Sequence, residues 1–124
     1  MSAQVRAHFD ALAGAGRLAE GAGRLISGEA GSREEGTQVR FQWRVAAGGI
    51  LEARFLAYGC PYTLATCEWL VRQLPGRRRE QPWPGGPEDW RRALDIPLER
   101  LGRLLVVEDA LRATADAWAR NALC

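Results

Sequence analysis

"QVRFQWRVAAGGILEARFLAYG" (residues 38–59) decides the architecture. Its first eight residues alternate strictly, with Val39, Phe41, Trp43 and Val45 on one side and Gln38, Arg40, Gln42 and Arg44 on the other. A period of two is that of a strand with one covered face. "AAGG" (46–49) then supplies a turn, and "ILEARFLAYG" follows with Leu51, Ala53, Phe55 and Ala57 expected on the covered side. Two such runs joined by a glycine-rich turn read as an antiparallel hairpin.

Immediately after the hairpin the period changes. Pro61 suits a first helical position, and Leu64, Cys67, Val71 and Leu74 recur at three- and four-residue intervals until Pro75 and Gly76 stop the helix. "GGPEDWRRAL" (85–94) opens a further short helix with acidic residues in its first turn, where the helix dipole favours them. "VEDALRATADAWARNAL" (107–123) sets Val107, Leu111, Thr114, Ala115, Trp118 and Ala122 on one stripe, predicting a long amphipathic C-terminal helix with an acidic start. Towards the N-terminus, "QVRAHFDALA" (4–13) carries Val5, Phe9 and Leu12 at helical spacing. Residues 14–36, with "GAGRL" occurring twice, read as a glycine-rich, weakly structured and mobile lead-in. Helix, strands and then helices argue an α+β fold, with an antiparallel sheet covered by helices on one face.

The 124 residues suit one domain, taken as residues 1–124, with a core large enough to stand without disulfides. Apolar residues make up 47% and charged residues 26%, as in ordinary globular chains. A net charge of +2 gives no footprint for nucleic acid, and the one dense basic run, "GRRRE" (76–80), reads as a solvated loop. No apolar run approaches the roughly 18 residues that span a bilayer, and the start lacks the pattern of a secretion signal. A cytoplasmic protein of bacterial type, binding neither nucleic acid nor membrane, is the expectation.

The chemistry centres on three cysteines, an odd number and too few for a disulfide framework. Cys60 falls where a strand ends and a helix begins, so helix N–H groups and the positive end of the dipole can hold its thiolate. Position alone leaves two readings of it: a reactive or metal-binding thiol, or a small residue at a tight corner. Seven helical residues span about 10.5 Å, beyond the roughly 6.8 Å that a disulfide accepts between Cα atoms. Cys60 and Cys67 are therefore not expected to bridge, and Cys67, on the Leu64/Val71 stripe, reads as core. Cys124, the last residue, and His8, in the first helix, read as bystanders. No phosphate loop, HExxH, CxxC or histidine dyad is present, and the chain is not expected to be an enzyme.

"VRFQWRVAAGGILEARFLAYGCPYTLATCEWLVRQLPG" (39–76) resembles the central part of the IscU/NifU N-terminal family of iron–sulfur cluster assembly scaffolds. "EARFLAYGC" (52–60) matches the family's hairpin end, and "LGRLLVVEDALRATADAW" (101–118) is similar to its last helix. "VRAHFDALAGAGRLAE" (5–20) is similar to its opening helix. The resemblance implies a scaffold-like fold, a small antiparallel sheet of about three strands covered by helices, and puts Cys60 in the place of the second of three cluster-ligand cysteines. It also implies that Glu35 and Thr37 stand where the family has a cysteine and an aspartate, and that Gly102 and Arg103 stand for its His–Cys pair. "IPLER" (96–100) keeps only Pro97 and Arg100 of the family's chaperone-recognition segment.

One thiolate and Glu35 do not make the four ligands that a [2Fe–2S] cluster takes. Arg103 beside Cys60 would instead favour a thiolate or persulfide. The expectation is therefore a scaffold-like protein of iron–sulfur cluster biogenesis, a sulfur acceptor or partner-binding protein that works with a cysteine desulfurase or another assembly protein. Iron–sulfur cluster binding, with iron ligated by Cys60 and Glu35, stays open through recruitment of Cys67, Cys124 or His8, or through sharing across a dimer. Zinc is a further metal that mixed ligands would suit. The competing reading is an interaction domain that kept the fold and lost the chemistry, with Trp83 and Trp90 as a docking edge. A thiol redox enzyme fits poorly, because no second cysteine lies within reach of Cys60.

Overall fold

A computed structural model describes residue 16 and residues 23–122, with the side chains of 121 and 122 excepted. The helix expected over residues 4–13, with His8, and the terminal Cys124 lie outside the described residues.

Three strands form one antiparallel meander: β1 (Arg24–Ser32), β2 (Thr37–Ala46) and β3 (Gly49–Tyr58), in the order β1-β2-β3. Helix α1 (Pro61–Gln73) follows β3 directly, then come α2 (Pro87–Ala93), a 3-10 turn (Leu98–Arg100) and the long α3 (Leu101–Ala122). Helix α3 lies across β1 and β2, while α1 lies against β3 and touches α3. The predicted covered face of β2 is the centre of the core: Val39, Phe41, Trp43 and Val45 are all buried, and Trp43 meets Trp118 of α3 edge to face at 6.2 Å between ring centroids. Such a pair adds about 0.5–1.5 kcal/mol beyond its buried area.

The lead-in read as weakly structured is in fact a full edge strand from Arg24 onward. It pairs with β2 through Ile26↔Trp43, Gly28↔Phe41 and Ala30↔Val39. Its inward residues shrink along the strand to glycine and alanine, which erases the hydrophobic alternation that marks a strand. The cause is the helix above: a Cβ on Gly28 would lie 2.3 Å from the backbone N of Thr114 and 2.5 Å from the backbone C of Ala113. Glycine is needed there because the α3 backbone rests on the strand, a close approach that a larger side chain would prevent.

The hairpin also departs from strict alternation. Register slips by one residue between Arg44↔Glu52 and Val45↔Ile50, leaving Leu51 as the extra residue of a bulge. Ile50 therefore takes the inward place expected of Leu51, which is 48% exposed, while Ala53 and Phe55 point inward as expected. The basic run is tied to this end of the sheet: Ile50 N–H donates to Arg77 O (2.9 Å), and Arg79 N–H donates to Gly48 O (3.0 Å).

On α1 the predicted Cys67, Val71 and Leu74 are buried and Leu64 partly so, and the buried face is broader than expected, adding Thr63, Ala65, Thr66, Glu68 and Leu70. The buried Glu68 carboxylate accepts from Arg72 Nε at 2.8 Å, one turn on. Helix α2 starts as its acidic first turn implies, with Asp89 Oδ2 accepting the N–H of Gly86 at 2.9 Å. Trp90 is fully buried and donates its indole N–H to Pro84 O at 2.6 Å, while Trp83 packs against the core. Trp90 is thus a core residue and Trp83 is partly buried against the core, so the pair does not form an exposed docking edge. Helix α3 begins six residues before the predicted start, and its first turn holds no acidic residue. The predicted start reads as an N-terminus only locally; the 3-10 turn ahead of Leu101 feeds straight into the helix. No helix among the described residues is long and apolar enough to cross a membrane.

Candidate functional site

The strand-to-helix junction is compressed into Gly59 and Cys60. A Cβ on Gly59 would meet the Thr63 side chain at 3.1–3.2 Å, so glycine lets the first turn of α1 fold back over the strand end. Cys60 is the N-cap residue, with extended backbone (φ −76°, ψ 167°), and its carbonyl accepts the N–H of Leu64 at 3.2 Å. This geometry leaves the first amides of α1 without helical partners close to the cap residue, although the Cys60 side chain makes no cap hydrogen bond to them.

The Cys60 thiol is half-buried, with Sγ 3.6 Å from Thr63 Oγ1. Burial pushes its pKa up, but the Thr63 hydroxyl, the N–H groups of Thr63 and Tyr62, and the positive charge of Arg103 together outweigh that, so the thiol ends below its ordinary value. Cys67 is the opposite case. It is fully buried in the middle of α1, where desolvation and then the Glu68 carboxylate push its pKa far above the ordinary thiol value. Both are free thiols, as the helix spacing predicts.

Arg103 reaches the site from the first turn of α3. Its Nη1 donates to Thr37 Oγ1 at 2.7 Å and to Gly36 O at 3.4 Å, bonding across 66 residues of sequence in the first case. Thr37 is buried and begins β2. Its neighbour Gln38 pairs with Tyr58, so Thr37 stands at the end of the β2–β3 ladder from which the chain runs through Gly59 into Cys60. Glu35, in the same β1–β2 turn, is exposed, and its N–H donates to Ser32 Oγ at 3.2 Å. Among the described residues Arg103 forms no ion pair, so a Glu35–Arg103 bridge is not formed. Two more arginines fold over aromatic rings on either side of Cys60: Arg33 lies 5.2 Å from the Tyr58 centroid, and Arg100 lies 5.7 Å from that of Tyr62.

The structure thus brings Cys60, Thr37 and Arg103 together, leaves Glu35 at the surface, and encloses Cys67 in the core. Thr63, the closest side-chain partner of the thiol, was not singled out in the sequence; its place three residues past an N-cap cysteine is the signal that could have found it. Among the described residues no three His, Cys, Asp or Glu side chains gather where one metal ion could bind. Among the described residues the groups around Cys60 are hydroxyls, amides and a guanidinium. That donor set does not suit an iron–sulfur cluster or zinc, both of which need several thiolate, imidazole or carboxylate ligands.

A three-stranded meander covered by two helices on one face, with a thiol capping the helix that follows the last strand, defines a scaffold-type α+β domain. The chain belongs to the family of the NifU-like N terminal domain, whose model matches residues 2–124. Its fold is similar to that of a protein from thermophilic Fervidobacterium islandicum AW-1 described as an iron–sulfur cluster assembly scaffold protein for the SUF system (TM-score 0.71, 12% identity, 93% of this chain and 96% of that one). It is also similar to the N-terminal part of a nitrogen-fixing NifU-like protein from Brucella abortus (TM-score 0.58, 15% identity, 93% of this chain and 94% of that one). No curated protein matches the sequence.

Proposed function

We propose that this chain is a scaffold-like protein of iron–sulfur cluster assembly that accepts sulfur on Cys60. It works as a stoichiometric acceptor rather than as an enzyme. Family membership supports the setting, and the observation that carries the sulfur role is the environment of Cys60. A half-buried N-cap thiol with two amides, a hydroxyl and a nearby cation is held towards its anionic form. The thiolate is the nucleophile in thiol exchange.

The step is redox-neutral. The Cys60 thiolate attacks the outer sulfur of a protein persulfide, a new S–S bond forms at Cys60, the donor's S–S bond breaks, and the donor cysteine leaves as a thiolate. A cysteine desulfurase is the class of partner that carries such a persulfide. Thr63 holds the attacking sulfur, and the α1 amides stabilise negative charge on it before attack. A reducing, cytoplasmic setting keeps Cys60 available as a thiol.

The test is anaerobic incubation with a cysteine desulfurase and cysteine, read by intact mass spectrometry on wild type and Cys60→Ser, with iron and sulfide added in a parallel sample for metal analysis. The expected outcome is a Cys60-dependent gain of sulfur without stable metal. An unmodified Cys60 beside a fully persulfidated desulfurase would overturn the reading and leave an interaction domain with the scaffold fold.

A further inference from the structure

The sulfur reading needs Cys60 alone, but the surroundings of that thiol carry a second piece of chemistry. Arg103 is half-buried, and only its Nη1 is engaged, by Thr37 and the Gly36 carbonyl. Those two bonds lock the guanidinium to the end of β2, while Nε and Nη2 have no hydrogen-bond partner among the described residues. Arginine presents its donors in a rigid planar fork, so fixing one nitrogen also fixes where the others lie. Gln38, the residue after Thr37, pairs with Tyr58, so the guanidinium is held at the end of the sheet from which the chain runs through Gly59 into Cys60, and its charge lowers the pKa of that thiol.

Two further arginines lie over the tyrosines two residues before and after Cys60 in the chain, Arg33 over Tyr58 and Arg100 over Tyr62. The carboxylates on the same segments, Glu34, Glu35 and Glu99, are exposed, so solvent screens them more than it screens Arg103. A site with fixed positive charge and unfilled N–H donors is built for an anion.

We propose that Arg103 is the specificity-determining residue of the Cys60 site, selecting anionic sulfur partners and holding the terminal sulfur anion of a Cys60 persulfide through its unengaged N–H groups. This deepens the sulfur-acceptor reading and rests on it for the identity of the natural anion. A persulfide is a stronger acid than its parent thiol, so it meets Arg103 as an anion at neutral pH.

The test compares two thiol reagents of the same reaction type, the dianionic bis(nitrobenzoate) disulfide and the neutral dipyridyl disulfide. Rates are measured on the full chain in a Cys124→Ser background, with mass spectrometry confirming modification at Cys60. In wild type the anionic reagent should be favoured, and raising salt should slow it while leaving the neutral reagent unchanged. Arg103→Gln should lower the anionic-to-neutral rate ratio by roughly five- to tenfold, the scale of one unit charge acting on a close anion in a solvated site. Arg103→Lys should restore most of the ratio, and Arg79→Gln, on an exposed loop, should not change it.

An unchanged ratio in folded Arg103→Gln would overturn the proposal. Equal salt dependence of the two reagents in wild type would do so as well, whether or not the variant folds. Neither measurement involves sulfur transfer, so an anion preference at a Cys60 that accepts no sulfur would sink the sulfur-acceptor reading and leave the role of Arg103 standing.

Discussion

The two cysteines of α1 sit seven residues apart on one helix and have opposite chemistry. Cys60 is the N-cap residue of the helix, where nearby amides, the Thr63 hydroxyl and the charge of Arg103 together hold its pKa below the ordinary value. Cys67 sits in the middle, where the amides are already spent on helical bonds and the nearest charge is the buried carboxylate of Glu68. A thiol's character is therefore set by which backbone groups remain free around it, and only a helix end leaves any free. The middle of the same helix turns an identical side chain into packing.

Four measurements would break or sharpen this contrast. The largest effect is in sulfur uptake: Cys60→Ser should abolish the gain of sulfur from a persulfide donor, whereas Cys67→Ala should retain it, with intact mass as the readout. Next, native-state alkylation followed by peptide mapping should label Cys60 at least ~100-fold faster than Cys67, because reaching Cys67 requires local opening of α1. Denaturant should remove the difference; comparable native rates would show that the core around Cys67 is open.

Stability should reverse the ranking. Cys67→Ser places a hydroxyl in a dry core and should cost about 1–3 kcal/mol in denaturant unfolding, while Cys60→Ser should change stability by no more than about 0.5 kcal/mol. The smallest effect concerns Thr63. Removing its hydroxyl in Thr63→Val should raise the pH midpoint of Cys60 alkylation, since a donor to the thiolate is lost. The sign for stability follows. The folded pKa of Cys60 lies below its ordinary value, so its thiolate contributes stability above the ordinary thiol pKa, and that contribution fades as pH falls through the folded value. Thr63→Val should shrink it; an unchanged alkylation midpoint would remove Thr63 from the account.

The same division between local and distant causes explains what was legible in the chain. The β2–β3 hairpin and α1 were readable because their covered faces are written in large apolar residues at periods of two and of three to four. Strand β1 was not, because Gly28 and Ala30 replace the apolar residues that would have marked it, and the reason for Gly28 is the α3 backbone at Ala113 and Thr114, more than eighty positions later. Leu51 was placed on the wrong face because a bulge depends on pairing across the strands and leaves no mark in the alternation of one strand. Trp83 and Trp90 looked like an exposed edge among "QPWPGGPEDW", and only the burial of the Trp90 indole against Pro84 O makes a core residue of it.

By itself the sequence determined a helix-covered antiparallel hairpin and a cysteine at the junction of strand and helix, because both follow from periodicity within a few residues. The resemblance carried by "ARFLAYGC" added the family, which the match over residues 2–124 bears out. The tertiary structure alone decided that Arg103 is pinned to Thr37 and Gly36 beside Cys60 while Glu35 stays in solvent. Positions 66 apart in sequence meet only when α3 lies across the sheet, and no local pattern encodes the distance between a guanidinium and a hydroxyl that the fold itself brings together.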